Sequence, residues 1–276
     1  MPTASVPSSE PLTTVLDAPS SPRATHPWEQ PWWRPAPGQG GVFAYLILIH
    51  GLALAGLILF PLPGWKVFGW TLLLGGIGAL GTTIGYHRYL AHRTLKANPW
   101  VERLLIFFAM FNGSGSPASW VSYHRLHHAS TDTEDDISSP TQGGFWWAHL
   151  RWLYQSEPVN AERWCPDLLR GGYRRWYLAQ PAIVLLSLGC GLLLGWAGFF
   201  WLGAIRLVYA LHAQCLVNSL THLGTARPNG DRSQNIWWLG PFQLTAWGEN
   251  WHGNHHSAAG LANFSRHWWQ VDVGWY

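Results

Sequence analysis

The densest chemistry in the chain is His124-Arg125-Leu126-His127-His128, three imidazoles in five residues. On a helix, positions i and i+4 share a face, so His124 and His128 can grip one metal ion. His127 sits about 100° round from His128 and faces a different ion. The same HxxHH pattern returns as His252-Gly253-Asn254-His255-His256. A third pair, His87 and His92, has i, i+5 spacing. That sets its rings about 140° apart on a regular helix, so both reach one ion only if the helix loosens or ends between them. His222 is a ninth candidate, and Asn218 lies one turn before it on the same face, placed to hold a metal-bound water. A polar surface helix that happens to be rich in histidine does not account for two such boxes far apart in the chain.

Nine neutral imidazoles can offer four or five nitrogens to each of two ions. Zinc usually takes four ligands in a tetrahedron. Nitrogen-rich sites of higher coordination with an open position suit iron activating oxygen, although imidazole also suits copper and nickel, so ligand type leaves the metal open. Cys165, Cys190 and Cys215 are widely spaced with no CxxC, which argues against both a disulfide framework and a thiolate site.

The elements that must position these residues read as membrane helices. Only 11% of the 276 residues are charged and 21 are Trp, a residue enriched where membrane meets water. The near-zero mean hydropathy hides apolar runs alternating with polar, His-rich blocks. A net charge of +3, without a basic tract or nucleic-acid motif, argues against nucleic acid as a partner. Residues 1–40 are rich in Pro, Ser, Thr and Ala and read as a flexible tail without the charged and apolar regions of a signal peptide. Trp28, Trp32 and Trp33 close that tail near the interface.

Four spans are expected, at about 42–62, 67–92, 178–194 and 199–222, as two hairpins within a membrane domain 41–276. Residues 93–177 and 223–276 form a helical cap, giving an all-α integral membrane protein with a histidine-rich dimetal site. The second and fourth spans, at about 39 Å and 36 Å, exceed the roughly 30 Å hydrocarbon core, so their His-bearing ends should project into the cap. Lys66 is the one charge at the hairpin turns, and nearly all other Lys and Arg fall on the side of the His boxes. Positive-inside logic makes that side cytosolic. His50 lies inside the first span and reads as a neutral, hydrogen-bonded histidine; Arg206, two turns into the fourth, either snorkels or pairs in the bundle. Leu104 to Phe111 is too short to span and fits a re-entrant or interfacial helix. Phe145 to Trp152 reads as an amphipathic element on the membrane. The acidic run Asp132, Glu134, Asp135 and Asp136 reads as a solvated face.

HRYLAH, HRLHH and HGNHH, with NSLTH between, resemble the boxes of the membrane-bound fatty acid desaturases of the acyl-CoA desaturase type, over about residues 40–272. The resemblance implies a di-iron centre that uses O2 to insert a cis double bond at carbon 9 of a saturated acyl chain. Carried over by position, one iron would take His87, His92, His124, His128 and His256; the other, His127, His222, His252 and His255, with Asn218 acting through water. Arg125 and Trp120 would lie near the substrate head group and acyl tunnel, and His149 matches a family histidine that is not a ligand. Cys215 stands where the animal enzymes have a tunnel tryptophan, and Leu223-Gly-Thr-Ala-Arg-Pro replaces their aromatic continuation. The chain is closer in style to bacterial and cyanobacterial members. That implies a bacterial inner membrane, or a cyanobacterial thylakoid or plasma membrane, with the active site on the cytosolic face. The substrate would be an acyl-lipid or an acyl-CoA or ACP thioester, and the electron donor ferredoxin or, alternatively, cytochrome b5. The sequence stops at Gly274-Trp275-Tyr276, where many relatives continue into another helix.

Abstracting hydrogen from an unactivated methylene pair is beyond any side-chain base, so a cofactor must carry it. No flavin, haem or iron-sulfur motif is visible, so electrons must come from outside. A hydroxylase or ketolase of the same histidine-rich superfamily, acting on lipid, alkane or carotenoid, would keep the site and put oxygen into the product. A membrane metal transporter or sensor would place its ligands near the bilayer midplane, whereas these boxes gather at one end. A bis-His haem protein would have only His50 and His212 to offer.

Overall fold

A computed structural model describes residues 26–242 and 247–276, and every regular element among them is helical. The expected tail falls largely on residues 1–25, outside the described residues. Three helical stretches are long and apolar enough to cross a membrane: Gly40–Leu59 (α1), Trp65–Ala91 (α2) and Arg174–Thr221. The last holds 48 residues, about 72 Å if straight. It is not straight. Gly195, at φ 77°, reverses the chain. A Cβ on Gly191 would lie 2.0 Å from the Gly198 carbonyl oxygen, so the two arms can close only on glycines. The arms are Arg174–Gly189 (α6) and residues 199–221 (α7), where two separate spans were expected. Large apolar side chains point outward from these stretches, with Leu54 at 61% and Ile58 at 69% exposure. An apolar surface of that extent is stable against lipid and not against water.

Three polar-segment helices begin with one sequence signature, a capping residue followed by proline. Asn98, Ser116 and Ser139 accept from the backbone N–H of Trp100, Ser119 and Thr141, and start Pro99–Phe111 (α3), Pro117–Ser130 (α4) and residues 140–155 (α5). At 13 residues, α3 is about 20 Å long and cannot span. It packs across α2 at Gly81, where a Cβ would meet the backbone of Ala109 and Leu105 at 2.4 and 2.6 Å. Its far end reaches Arg206, which pairs inside the bundle. That buried guanidinium donates to Leu202 O, Phe111 O, Asn112 Oδ1 and the Ser187 hydroxyl, tying α3 to α6 and α7. Where these helices meet, Tyr86, Leu90, Ile106, Met110, Val121, Leu168 and Ile183 form a core.

The expected irregularity between His87 and His92 is present. From Gly81 to Ala91, α2 is a π-helix, and the His92 N–H donates to the His87 carbonyl at 3.1 Å. An i+5 bond stacks residue 92 over residue 87 and turns both rings to one side. His252–Ser257 (α8) carries the third box.

Candidate metal centre

The nine histidines gather into two adjoining groups. His87, His92, His124, His128 and His255 form one; His127, His222, His252 and His256 form the other, with ligand atoms in each within 4.8 Å of one another. In the first, Nε2 atoms lie 3.0 Å apart for His87 and His255, 2.7 Å for His92 and His124, and 3.1 Å for His128 and His255. In the second, His252 is 3.1 Å from both His222 and His256. Metal–imidazole bonds of about 2.05 Å place neighbouring ligand nitrogens about 2.9 Å apart and opposed ones about 4.1 Å apart. The quoted distances in both groups lie near the neighbouring value, and His128 and His256 stack at 4.3 Å where the groups meet.

This grouping differs from the ligand division carried over by resemblance: His255 lies with the His87 group and His256 with the His127 group. The reason is the helical rule already applied to the second box. His252 and His256 are i, i+4 on α8 and share a face, and His255 points to the other. Asn218 donates through Nδ2 to Ser138 O (2.8 Å) and Ala148 O (3.0 Å), which holds its amide in one orientation.

Carboxylates fix the outer ring nitrogens and so turn the Nε2 atoms inward. His87 Nδ1 lies 2.8 Å from Glu249, His127 Nδ1 2.8 Å from Asp136 and His222 Nδ1 2.9 Å from Asp132. The reading of 132–136 as a solvated face is therefore wrong for Asp132 and Asp136, which are buried; Glu134 and Asp135 are exposed. The available signal was the placement of acids beside His boxes, since a ligating imidazole needs an acceptor for its second N–H. Burial lowers His92 to about 4, with Arg125 and His127 adding to the effect. Burial also lowers His124, His128, His252, His255 and His256. These rings are held neutral, the form that binds metal. For His127 burial works downward, but Asp136 outweighs it and raises the ring. Asp136 is held at about 2, against burial, by His127. Burial pushes Glu249 up to about 8, opposed by Arg88.

Arg125, expected near the substrate head group, is held by protein partners. Its five N–H groups are all engaged, by Ala91 O, Leu90 O, Trp164 O and both oxygens of Asp167, clamping the end of α2 to the 161–170 segment. Trp120 stacks on His124 at 4.8 Å. His149 belongs to neither group, and His26, His50, His212 and His267 stay outside both. Arg88, which the sequence did not single out, forms a two-pronged buried ion pair with Asp272 at 2.8 and 2.9 Å. That pair holds the C-terminal segment so that Phe264 packs on His255 at 4.5 Å. A small cavity of about 30 Å³ is lined by Glu249, Ala79, Thr82, Ala210, Ala213 and Val217, among others.

An all-helical, membrane-associated protein with two adjoining polyhistidine groups able to hold metal is the class these features define. The fatty acid desaturase family model matches residues 63–272. Delta-9 acyl-lipid desaturase 2 of Arabidopsis thaliana is 36% identical over 242 residues, covering 85% of this chain and 76% of that protein. The sn-1 stearoyl-lipid 9-desaturase of Anabaena variabilis is 36% identical over 220 residues, 76% and 79% of the two chains. An acyl-CoA 5-desaturase of Anemone leveillei is 37% identical over 242 residues, 84% and 74%. The chain belongs to the fatty acid desaturase family, and it is an oxidoreductase.

Proposed function

We propose that the chain inserts a cis double bond at carbon 9 of a saturated acyl chain carried on a membrane lipid. One observation carries this reading: two histidine groups of five and four sit at one end of the bundle. Beside them, a cavity of about 30 Å³ lined by Glu249 and largely by small side chains lies between α2 and α7. The relatives named acyl-lipid and stearoyl-lipid desaturases support the lipid carrier and the position of the bond.

The overall reaction takes –CH2–CH2–, O2, two electrons and two protons to –CH=CH– and two waters. Two iron ions, when bound, supply oxygen reduction and hydrogen abstraction that no side chain can provide. His87, His92, His124, His128 and His255 would hold one; His127, His222, His252 and His256 would hold the other, with Asn218 acting through water. Asp132, Asp136 and Glu249 orient their ligands. Ala79, Ala210 and Ala213 present small apolar side chains to the space between α2 and α7 beside Glu249. Electrons come from an external one-electron carrier, ferredoxin or alternatively cytochrome b5.

The apolar stretches fit four crossings, with the 48-residue stretch supplying two of them. Arg93 and Lys96, just past the end of α2, fit a cytosolic face in a bacterial inner membrane or a cyanobacterial membrane.

The test is the fatty-acid profile, with double-bond positions, of a host lacking its own desaturase and supplied with ferredoxin and its reductase. Carbon-9 monoenes that vanish with His127→Ala support the reading, and the lipid class bearing them identifies the carrier. Bonds at carbon 5, as the Anemone relative's name describes, or hydroxylated products would overturn it.

A further inference from the structure

His50, His212 and His149 lie outside both histidine groups, yet they form a continuous hydrogen-bonded chain through three elements. His50 Nδ1 is 2.7 Å from the Leu46 carbonyl within α1. His50 Nε2 is 3.0 Å from His212 Nε2 on α7. His212 Nδ1 is 2.9 Å from His149 Nε2 on α5, and the two rings stack with planes 18° apart. His149 Nδ1 is 3.0 Å from Ser219 Oγ, back on α7.

Proton counting allows one arrangement of this chain in which all three rings are neutral. A carbonyl only accepts, so His50 Nδ1 carries hydrogen and, in a neutral ring, Nε2 is bare. His212 must then donate from Nε2 and accept at Nδ1. His149 likewise donates from Nε2 and accepts at Nδ1 from the Ser219 hydroxyl. Three neutral rings and one hydroxyl satisfy all four contacts, with every donor pointing toward Leu46. The Ser219 hydroxyl is also within reach of Cys215 O at 2.8 Å and can donate there, so the order of the chain at this end is set by which acceptor takes that hydrogen. No carboxylate occurs on α1, α5 or α7, so neutral rings are also the form the membrane favours.

The chain ends one residue from the metal centre's polar support. Ala148, next to His149, supplies a carbonyl that holds the Asn218 amide at 3.0 Å, and Asn218 precedes Ser219. We propose that His50, His212 and His149 are positioning residues. Their one-way imidazole chain locks α5 onto α1 and α7, and through Ala148 sets the orientation of the Asn218 amide. The inference rests on reading Asn218 as the residue that holds a water at the second histidine group.

The test uses the full chain in lipid nanodiscs loaded with isotopically enriched ferrous iron, followed by iron content and Mössbauer spectra. Asn218→Ala should alter only one of two iron signals. His212→Phe should alter that same signal while about two irons stay bound, with kcat lower by about tenfold, the low end for lost outer support of a metal site. His212→Gln, which keeps a donor and an acceptor, should lie closer to wild type. If Asn218→Ala shifts one signal and His212→Phe shifts none, the relay is wrong. If Asn218→Ala shifts neither, the Asn218 reading has failed first. Should His212→Phe not fold, imidazole nitrogen NMR of the unsubstituted protein still decides. Hydrogen on Nδ1 of His50 and on Nε2 of His212 and His149 is expected, and any other tautomer pattern overturns the chain.

Discussion

His252 and His256, one helical turn apart on α8, bring their Nε2 atoms to 3.1 Å, while His255 between them reaches His87 Nε2 at 3.0 Å. The third box therefore bridges the two histidine groups in the same manner as the second, where His124 and His128 serve one group and His127 the other. His255→Ala should perturb the same iron signal as His124→Ala, and His256→Ala the same signal as His252→Ala. Mössbauer spectra of the four variants check the pairing; the opposite grouping would restore the division carried over by resemblance.

Asp136 and Asp132 hold Nδ1 of His127 and His222 and touch no presumed ligand of the other group. Asp136→Ala should weaken iron at the second group by about 10- to 100-fold, the usual consequence of removing the acceptor behind a ligating imidazole. The first group should keep its iron. Competition with a chelator, read as iron retained per chain, measures this; equal loss from both groups would mean the fold had been damaged instead.

Asp167 binds Arg125 at 2.7 Å and Arg93 at 2.6 Å. Against burial, Arg125 and then Arg93 hold its carboxyl well below the usual carboxylate range. A depressed native value adds stability above the unfolded value of about 3.9, and that stability disappears as pH falls through the native value. The Tm gap between wild type and Asp167→Asn should be constant above about pH 5 and shrink below about pH 4. Thermal unfolding across that range checks it, and a gap that widens in acid would contradict the clamp.

Gly81 lies against backbone atoms of α3, with Ala109 N 2.4 Å from where a Cβ would be. Backbone cannot yield as a flexible side chain can, so Gly81→Ala should push α3 off α2 and cost about 1–3 kcal/mol. Gly40, where a Cβ would meet nothing within 4 Å, is the control, and Gly40→Ala should be close to neutral. Thermal stability in nanodiscs compares the two.

Much of the site was legible because imidazole spacing maps directly onto helical faces. The pairing of His124 with His128 follows from i, i+4, and so does that of His252 with His256. The irregularity at His87 and His92 followed from an angle that a regular helix could not close. The apolar stretches were legible because a bilayer demands about 20 consecutive apolar residues.

What the sequence by itself determined is the local register: which histidines share a helix face, where caps and prolines start helices, and that the metal ligands are nitrogen. The tertiary structure alone decided which acids stand behind which rings, that Arg125 clamps Asp167, and that His50 meets His212, 162 residues away in the chain. The physical reason is that helix geometry is set within four or five residues. A carboxylate–imidazole or imidazole–imidazole contact depends on how separate helices pack, and no local spacing encodes that.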